Sequence, residues 1–119
     1  KQKLNPLGES QMTNPMKGEM SLQLGKSEYK TRLTIDSIIR IETELDKGIL
    51  AITQKIGDAD VRVGELRTVL LHALRGGGND LSEKDVSGII AEVGIVDACR
   101  AVAELLTASL ISPKNEPEE

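Results

Sequence analysis

The stretch Val69-Leu70-Leu71-His72-Ala73-Leu74-Arg75-Gly76-Gly77-Gly78-Asn79-Asp80-Leu81-Ser82-Glu83-Lys84-Asp85-Val86 decides the fold. It reads as the end of an apolar helix, a glycine stop and a freshly capped second helix. Leu66, Val69, Leu70, Ala73 and Leu74 recur at the spacing of one helical face, so that helix must bury a stripe. Gly76 is expected to take the left-handed conformation that closes a helix, with Gly77 and Gly78 allowing a tight turn. Ser82, followed by Asp85 three positions later, is a capping signal that restarts the helix. A helix–turn–helix of this kind needs other elements to cover it, and the flanking segments supply them.

Downstream, a fourth helix is predicted over residues 83–93, with Val86, Ile89, Ile90 and Val93 inward and Gly94 as its stop. A fifth follows over 95–110, where Ala98, Cys99, Val102, Leu105, Leu106 and Leu110 form a wide apolar band that Pro113 ends. Upstream, Asp36 is expected to cap a helix to about residue 47, with Gly48 as its stop. A short second helix covers 49–56 and closes at Gly57. Residues 58–63 connect it to the third helix at 64–75, and Val61 and Val63 are placed to dip into the core.

Ahead of the helices, Glu19-Met20-Ser21-Leu22-Gln23-Leu24 alternates strictly. Gly25-Lys26-Ser27-Glu28 is a turn cluster. Tyr29-Lys30-Thr31-Arg32-Leu33-Thr34-Ile35 alternates again, with Tyr29, Thr31, Leu33 and Ile35 on one side. Two alternating runs around a short glycine turn predict a β-hairpin with one buried face. A lone hairpin is marginal in water, so it must lie on the helices or pair with another chain. The expected fold is therefore α+β: an N-terminal β-hairpin packed on a bundle of four to five short α-helices.

Three segments are expected: a flexible lead-in over residues 1–17, one domain over 18–111 and a disordered acidic tail over 112–119. Residues 1–11 are set aside as an added or upstream extension, since Met12 is a plausible natural start. With 119 residues, one modest core is affordable. The net charge of −4 is uneven: six Lys/Arg stand against three Asp/Glu up to Thr34, and nine against sixteen beyond it. A basic front on an acidic helical body suits protein contacts at least as well as nucleic acid. Tyr29 is the sole aromatic, which removes the base-stacking platforms of single-strand binders. Cys99 is the sole cysteine, so neither an intramolecular disulfide nor a thiolate zinc cluster is available. No apolar run approaches the roughly 20 residues that span a bilayer.

Several residues invite chemistry and are better explained without it. His72 is the only histidine and lacks a companion at metal-ligand or catalytic spacing, Glu65 and Arg75 being its nearest helical candidates. Gly76-Gly77-Gly78 follows a helix rather than a strand, and Asn79-Asp80-Leu81 stands where a phosphate loop needs Lys and a hydroxyl. Asp80, Glu83 and Asp85 lack the spacing of a calcium loop, and capping accounts for them. Cys99 on an apolar band behaves as a small hydrophobe whose burial raises its pKa. Lys26, Lys30 and Arg32 give the hairpin a basic outer side, which serves either as a solvated edge or as a partner-docking surface for an acidic body. From the residues alone the reading stops at a small, mostly helical domain.

A resemblance goes further. Asn14-Pro15-Met16-Lys17-Gly18-Glu19-Met20 before a hairpin, Arg62-Val63-Gly64-Glu65-Leu66-Arg67, and Ala73-Leu74-Arg75-Gly76-Gly77-Gly78-Asn79-Asp80-Leu81-Ser82 together resemble the small tail proteins of gene transfer agents and related siphophage-like tails. The likeness runs from Asn14 to about Leu110. The extension before Met12 and the longer acidic tail depart from the usual pattern. The resemblance implies a protein associated with the tail tube, standing where tail assembly chaperones are encoded. It implies no catalysis, no cofactor and no metal, with tape-measure and tail tube proteins as partners. The expected location is the cytoplasm during assembly, or the particle tail. Weak homo-oligomerisation through the hairpin is a further expectation, and neither nucleic acid nor membrane is expected as a partner. The alternatives are a structural tube subunit or, from the helix–turn–helix, a small DNA-binding regulator. The acidic body and the absence of an Arg/Lys cluster oppose the regulator.

Overall fold

A computed structural model describes residues 19–111, so the predicted lead-in and acidic tail lie outside the described residues. The order is β1 (Glu19–Leu24), β2 (Ser27–Arg32), α1 (Ile35–Leu45), α2 (Ile49–Gly57), α3 (Val63–Gly76), α4 (Glu83–Val93) and α5 (Ile95–Ile111). This is the α+β architecture that the alternation and the helical periods imply: one antiparallel hairpin followed by five helices.

The hairpin turn is tighter than the glycine cluster suggests. Ser27 and Glu28 belong to β2, with Leu24 paired to Ser27 and Glu19 to Arg32, so only Gly25 and Lys26 remain in the loop. Gly25 carries the positive φ of 66° that a two-residue turn of the type II′ kind needs at its first central position. Met20, Leu22, Leu24, Tyr29 and Thr31 share the inward face, and the Thr31 hydroxyl donates to the Met20 carbonyl at 2.8 Å. Leu33 leaves the strand while still touching the core. Ile35, expected on the inward face, is 72% exposed because it already begins α1.

Helix boundaries follow local chemistry, with three shifts from expectation. Thr34, not Asp36, caps α1: its Oγ1 accepts from the Ser37 N–H at 3.0 Å, and Asp36 sits in the first turn, where a carboxylate suits the helix dipole. The same helix ends at Asp46, which takes the left-handed conformation at φ 54°. Gly48 is therefore not its stop but the residue that opens α2, whose Ile49 N–H is met by Glu42 Oε2 at 2.8 Å. The third shift is in the glycine run and belongs to the site below.

Helix α3 is the axis of the core. Leu66, Val69, Leu70, Ala73 and Leu74 are all fully buried. Around it α1, α4, α5 and β2 pack, while α5 also supports α2 and β1. Ile41, Ile52, Ile56, Val86, Ile90, Ala98, Val102, Leu105 and Leu106 complete an aliphatic core. Val61 packs against that core, whereas Val63 is half exposed at the start of α3. Cys99 lies in the predicted apolar band, where its thiol donates to the Ile56 carbonyl at 3.2 Å and burial pushes its pKa up.

Candidate functional site: the hairpin and its seam with α3

The glycine run at the end of α3 does not work as a simple stop at Gly76. Gly76 remains helical, Gly77 has φ −85°, and the left-handed residue is Gly78 at φ 99°. The Asn79 N–H reaches the Leu74 carbonyl at 3.0 Å and the Gly78 N–H reaches that of Arg75 at 3.0 Å. That pair of bonds is a Schellman closure with Gly78 just past the cap. Gly76 and Gly77 are small for another reason. A Cβ at Gly76 would collide with the Arg32 carbonyl oxygen, and one at Gly77 with that of Lys30. The helix end is pressed against the backbone of β2, and only glycine lets it come so close.

Asn79 completes the seam. Its side-chain amide donates to the Lys30 carbonyl at 2.7 Å and to the Leu74 carbonyl at 3.0 Å, clamping strand to helix. No local signal in the sequence marks Asn79 as a clamp, because Lys30 lies 49 positions away. Past the seam, α4 starts with a reciprocal cap: Asp85 N–H to Ser82 Oγ at 3.1 Å, and Ser82 N–H to Asp85 Oδ2 at 2.9 Å. The Ser82 N–H, and after it the Ser82 side chain, hold the Asp85 carboxyl below the usual aspartate range.

On the outer side of the hairpin, Lys30 and Arg32 stand in register with Ser21 and Glu19, and Glu28 with Gln23. Lys26 and Lys30 are exposed, and Arg32 is partly covered. The three basic residues thus share their surface with Glu19 and Glu28, giving a mixed-charge face.

His72 is buried, and its Nε2 lies 2.8 Å from Glu44 Oε2, which ties α3 to α1. Neither Glu65 nor Arg75 is its partner. Glu65 instead caps α3 by accepting from the Arg62 N–H at 3.2 Å, and it pairs with Lys47 and Lys55. The Lys47 hydrogen bond, the Arg62 N–H and the two lysine charges hold its carboxyl below the usual range against a desolvation cost. Arg75 Nε donates to the Leu81 carbonyl at 3.0 Å. His72, Arg75, Gly76, Thr34, Asp36, Ser37 and Arg40 line an open cleft of about 300 Å³ in which Asp36 is the one carboxylate beside Arg40 and Arg75. Among the described residues no cluster of three His, Cys, Asp or Glu could hold a metal ion. Nor is any of the described helices long and apolar enough to cross a membrane.

A second surface feature is aliphatic. Ile35 and Ile39, one turn apart on α1, are 72% and 51% exposed; Leu50 on α2 and Ile95 and Val96 on α5 also face solvent. The crowding of Ile35, Ile38, Ile39 and Ile41 into two turns signals this, because a helix cannot bury isoleucines on every side against one neighbouring layer.

A search of curated proteins and a search of solved structures each return no match. The family model described as phage tail tube protein, GTA-gp10, matches residues 17–111, which includes every element from the hairpin to the last helix. The chain therefore belongs to the phage and gene-transfer-agent tail protein family of that description.

Proposed function

We propose that this protein is a non-enzymatic tail assembly chaperone that binds the tape-measure protein and keeps its apolar helices from aggregating while tube subunits are recruited. The observation that carries the reading is the solvent-facing aliphatic set on α1, α2 and α5. Ile35 and Ile39 lie at i, i+4 on a helix whose opposite side is buried, the spacing with which one amphipathic helix meets another. The chain would act in the cytoplasm during assembly, without cofactor or metal. Nucleic acid is not a partner in this reading, since the helical body carries excess negative charge.

The test is co-expression with a tape-measure fragment. The chain should keep the fragment in the soluble fraction and co-elute with it, and Ile35→Asp with Ile39→Asp should abolish both effects while leaving the fold intact. Purified tails should lack the chain. A fragment that stays insoluble, or one rescued equally by the double variant, contradicts the proposal. A structural tube subunit is the second reading, favoured by the two-stranded sheet, whose β1 edge has no further strand beside it among the described residues. It requires the chain in finished tails at a fixed ratio to the other tube proteins.

A further inference from the structure

The two edges of the hairpin have different fates. A two-residue loop makes Leu24 and Ser27 a pair that exchanges both ladder hydrogen bonds, and the alternation extends this to Leu22 with Tyr29 and Met20 with Thr31. Glu28, Lys30 and Arg32 must then turn their backbone groups away from β1. The structure agrees, since Asn79 donates to the Lys30 carbonyl and the Arg32 carbonyl lies against Gly76. By the same parity, the backbone groups of Glu19, Ser21 and Gln23 point away from β2. Among the described residues, no hydrogen bond reaches them.

We infer that the open edge of β1 pairs with the β1 edge of a second copy of this chain, joining two hairpins into one four-stranded antiparallel sheet. The inference is independent of the tape-measure reading. The edge carries none of the features that block such pairing: β1 holds no proline, no lysine and no bulge in its register. It is also self-complementary. With Leu22 opposite its own copy, Met20 falls beside the second copy's Leu24, so the apolar face continues across the junction. Ser21 falls opposite the second copy's Gln23, twice by symmetry, and these are the residues whose outward N–H and C=O groups, without a partner among the described residues, would exchange hydrogen bonds. Glu19, the only charge on the strand, meets no like charge in this register. The two-stranded sheet gains the extra strands that give sheets independent stability.

Ser21 and Gln23 are exposed on the outer face, so their side chains can be changed without touching the core. Two doubly substituted chains test the pairing: Ser21→Lys with Gln23→Lys, and Ser21→Glu with Gln23→Glu. Sedimentation velocity of the full chain should show concentration-dependent dimer. Each substituted chain alone should dimerise roughly tenfold more weakly or less, since like charges then face each other. An equimolar mixture should restore dimer at least to the parent level. Should a substituted chain lose its helical circular dichroism, amide exchange in the parent decides instead. The Ser21 and Gln23 N–H groups should be protected well above the dimerisation concentration and exchange freely well below it. A parent that is monomeric at all concentrations, substituted chains that dimerise as well as the parent, a mixture without rescue, or exchange that does not change with dilution would each overturn the inference.

Discussion

The two strands of the hairpin are built from similar alternating residues, yet one edge is sealed and the other is open. The sealed edge, β2, has a helix end set against its backbone and an amide clamped onto one of its carbonyls. The open edge, β1, has α5 beneath its inner face and no backbone partner among the described residues. Strand sequence alone therefore does not decide which edge is available. Residues 76–79, some 45 positions downstream of β2, make that decision. Among the described residues, β1 is thus the one edge from which the sheet could grow.

Breaking the sealed edge should have the largest effect on stability. Gly76→Val places a branched side chain into the Arg32 carbonyl and beside the Ser37 hydroxyl, so it should destabilise the domain by about 3 kcal/mol. Urea denaturation followed by circular dichroism would measure it. A loss below about 1 kcal/mol would mean that the helix end can retreat from the strand without penalty.

Releasing the clamp should cost less. Asn79→Ala removes both amide bonds, to Lys30 and Leu74, and should cost about 1–2 kcal/mol in the same assay. It should also raise amide exchange in β2 more than in β1, because only the β2 edge loses its cover. Equal acceleration in both strands would show that the hairpin opens as one unit and that the two edges are not energetically distinct.

The smallest effect comes from far outside the seam and serves as its control. Glu65 titrates below the ordinary glutamate range in the folded state because Lys47, the Arg62 N–H and Lys55 favour its charged form. A lowered folded-state pKa contributes stability that is present at neutral pH and is lost as the pH falls through the folded value. The two lysines are part exposed, so screening holds this contribution below about 1 kcal/mol. Glu65→Gln should therefore lower stability slightly at pH 7 and flatten its fall in acid, with the hairpin's exchange unchanged. An unaltered acid profile would remove Glu65 from the account.

Much of the fold could be read because its signals are local. Alternation located both strands, apolar spacing located five helices, and Ser82 with Asp85 marked the start of α4. Boundary chemistry was harder where neighbouring residues competed for one role. Thr34 and Asp36 both make good caps, and the threonine prevails because its hydroxyl reaches the Ser37 N–H. Gly48 looks like a stop, yet Asp46 reaches the left-handed region first. The seam was not legible, because a glycine needed for close approach is spelled the same as one needed for a turn. The His72–Glu44 pair was hidden for a similar reason: its partner lies 28 positions away on another helix.

Two neighbouring alanine substitutions separate a docking seam for β2 from a plain turn in the glycine run. Gly77→Ala introduces only a methyl group, but one aimed at the Lys30 carbonyl, at a φ that alanine tolerates. Gly78→Ala meets no atom within 4 Å and bears only the strain of its φ of 99°. Measured side by side by urea denaturation, Gly77→Ala should cost about 3 kcal/mol and Gly78→Ala about 1 kcal/mol. A Gly78→Ala loss equal to or greater than that of Gly77→Ala would contradict the seam and return the run to the role of a simple turn.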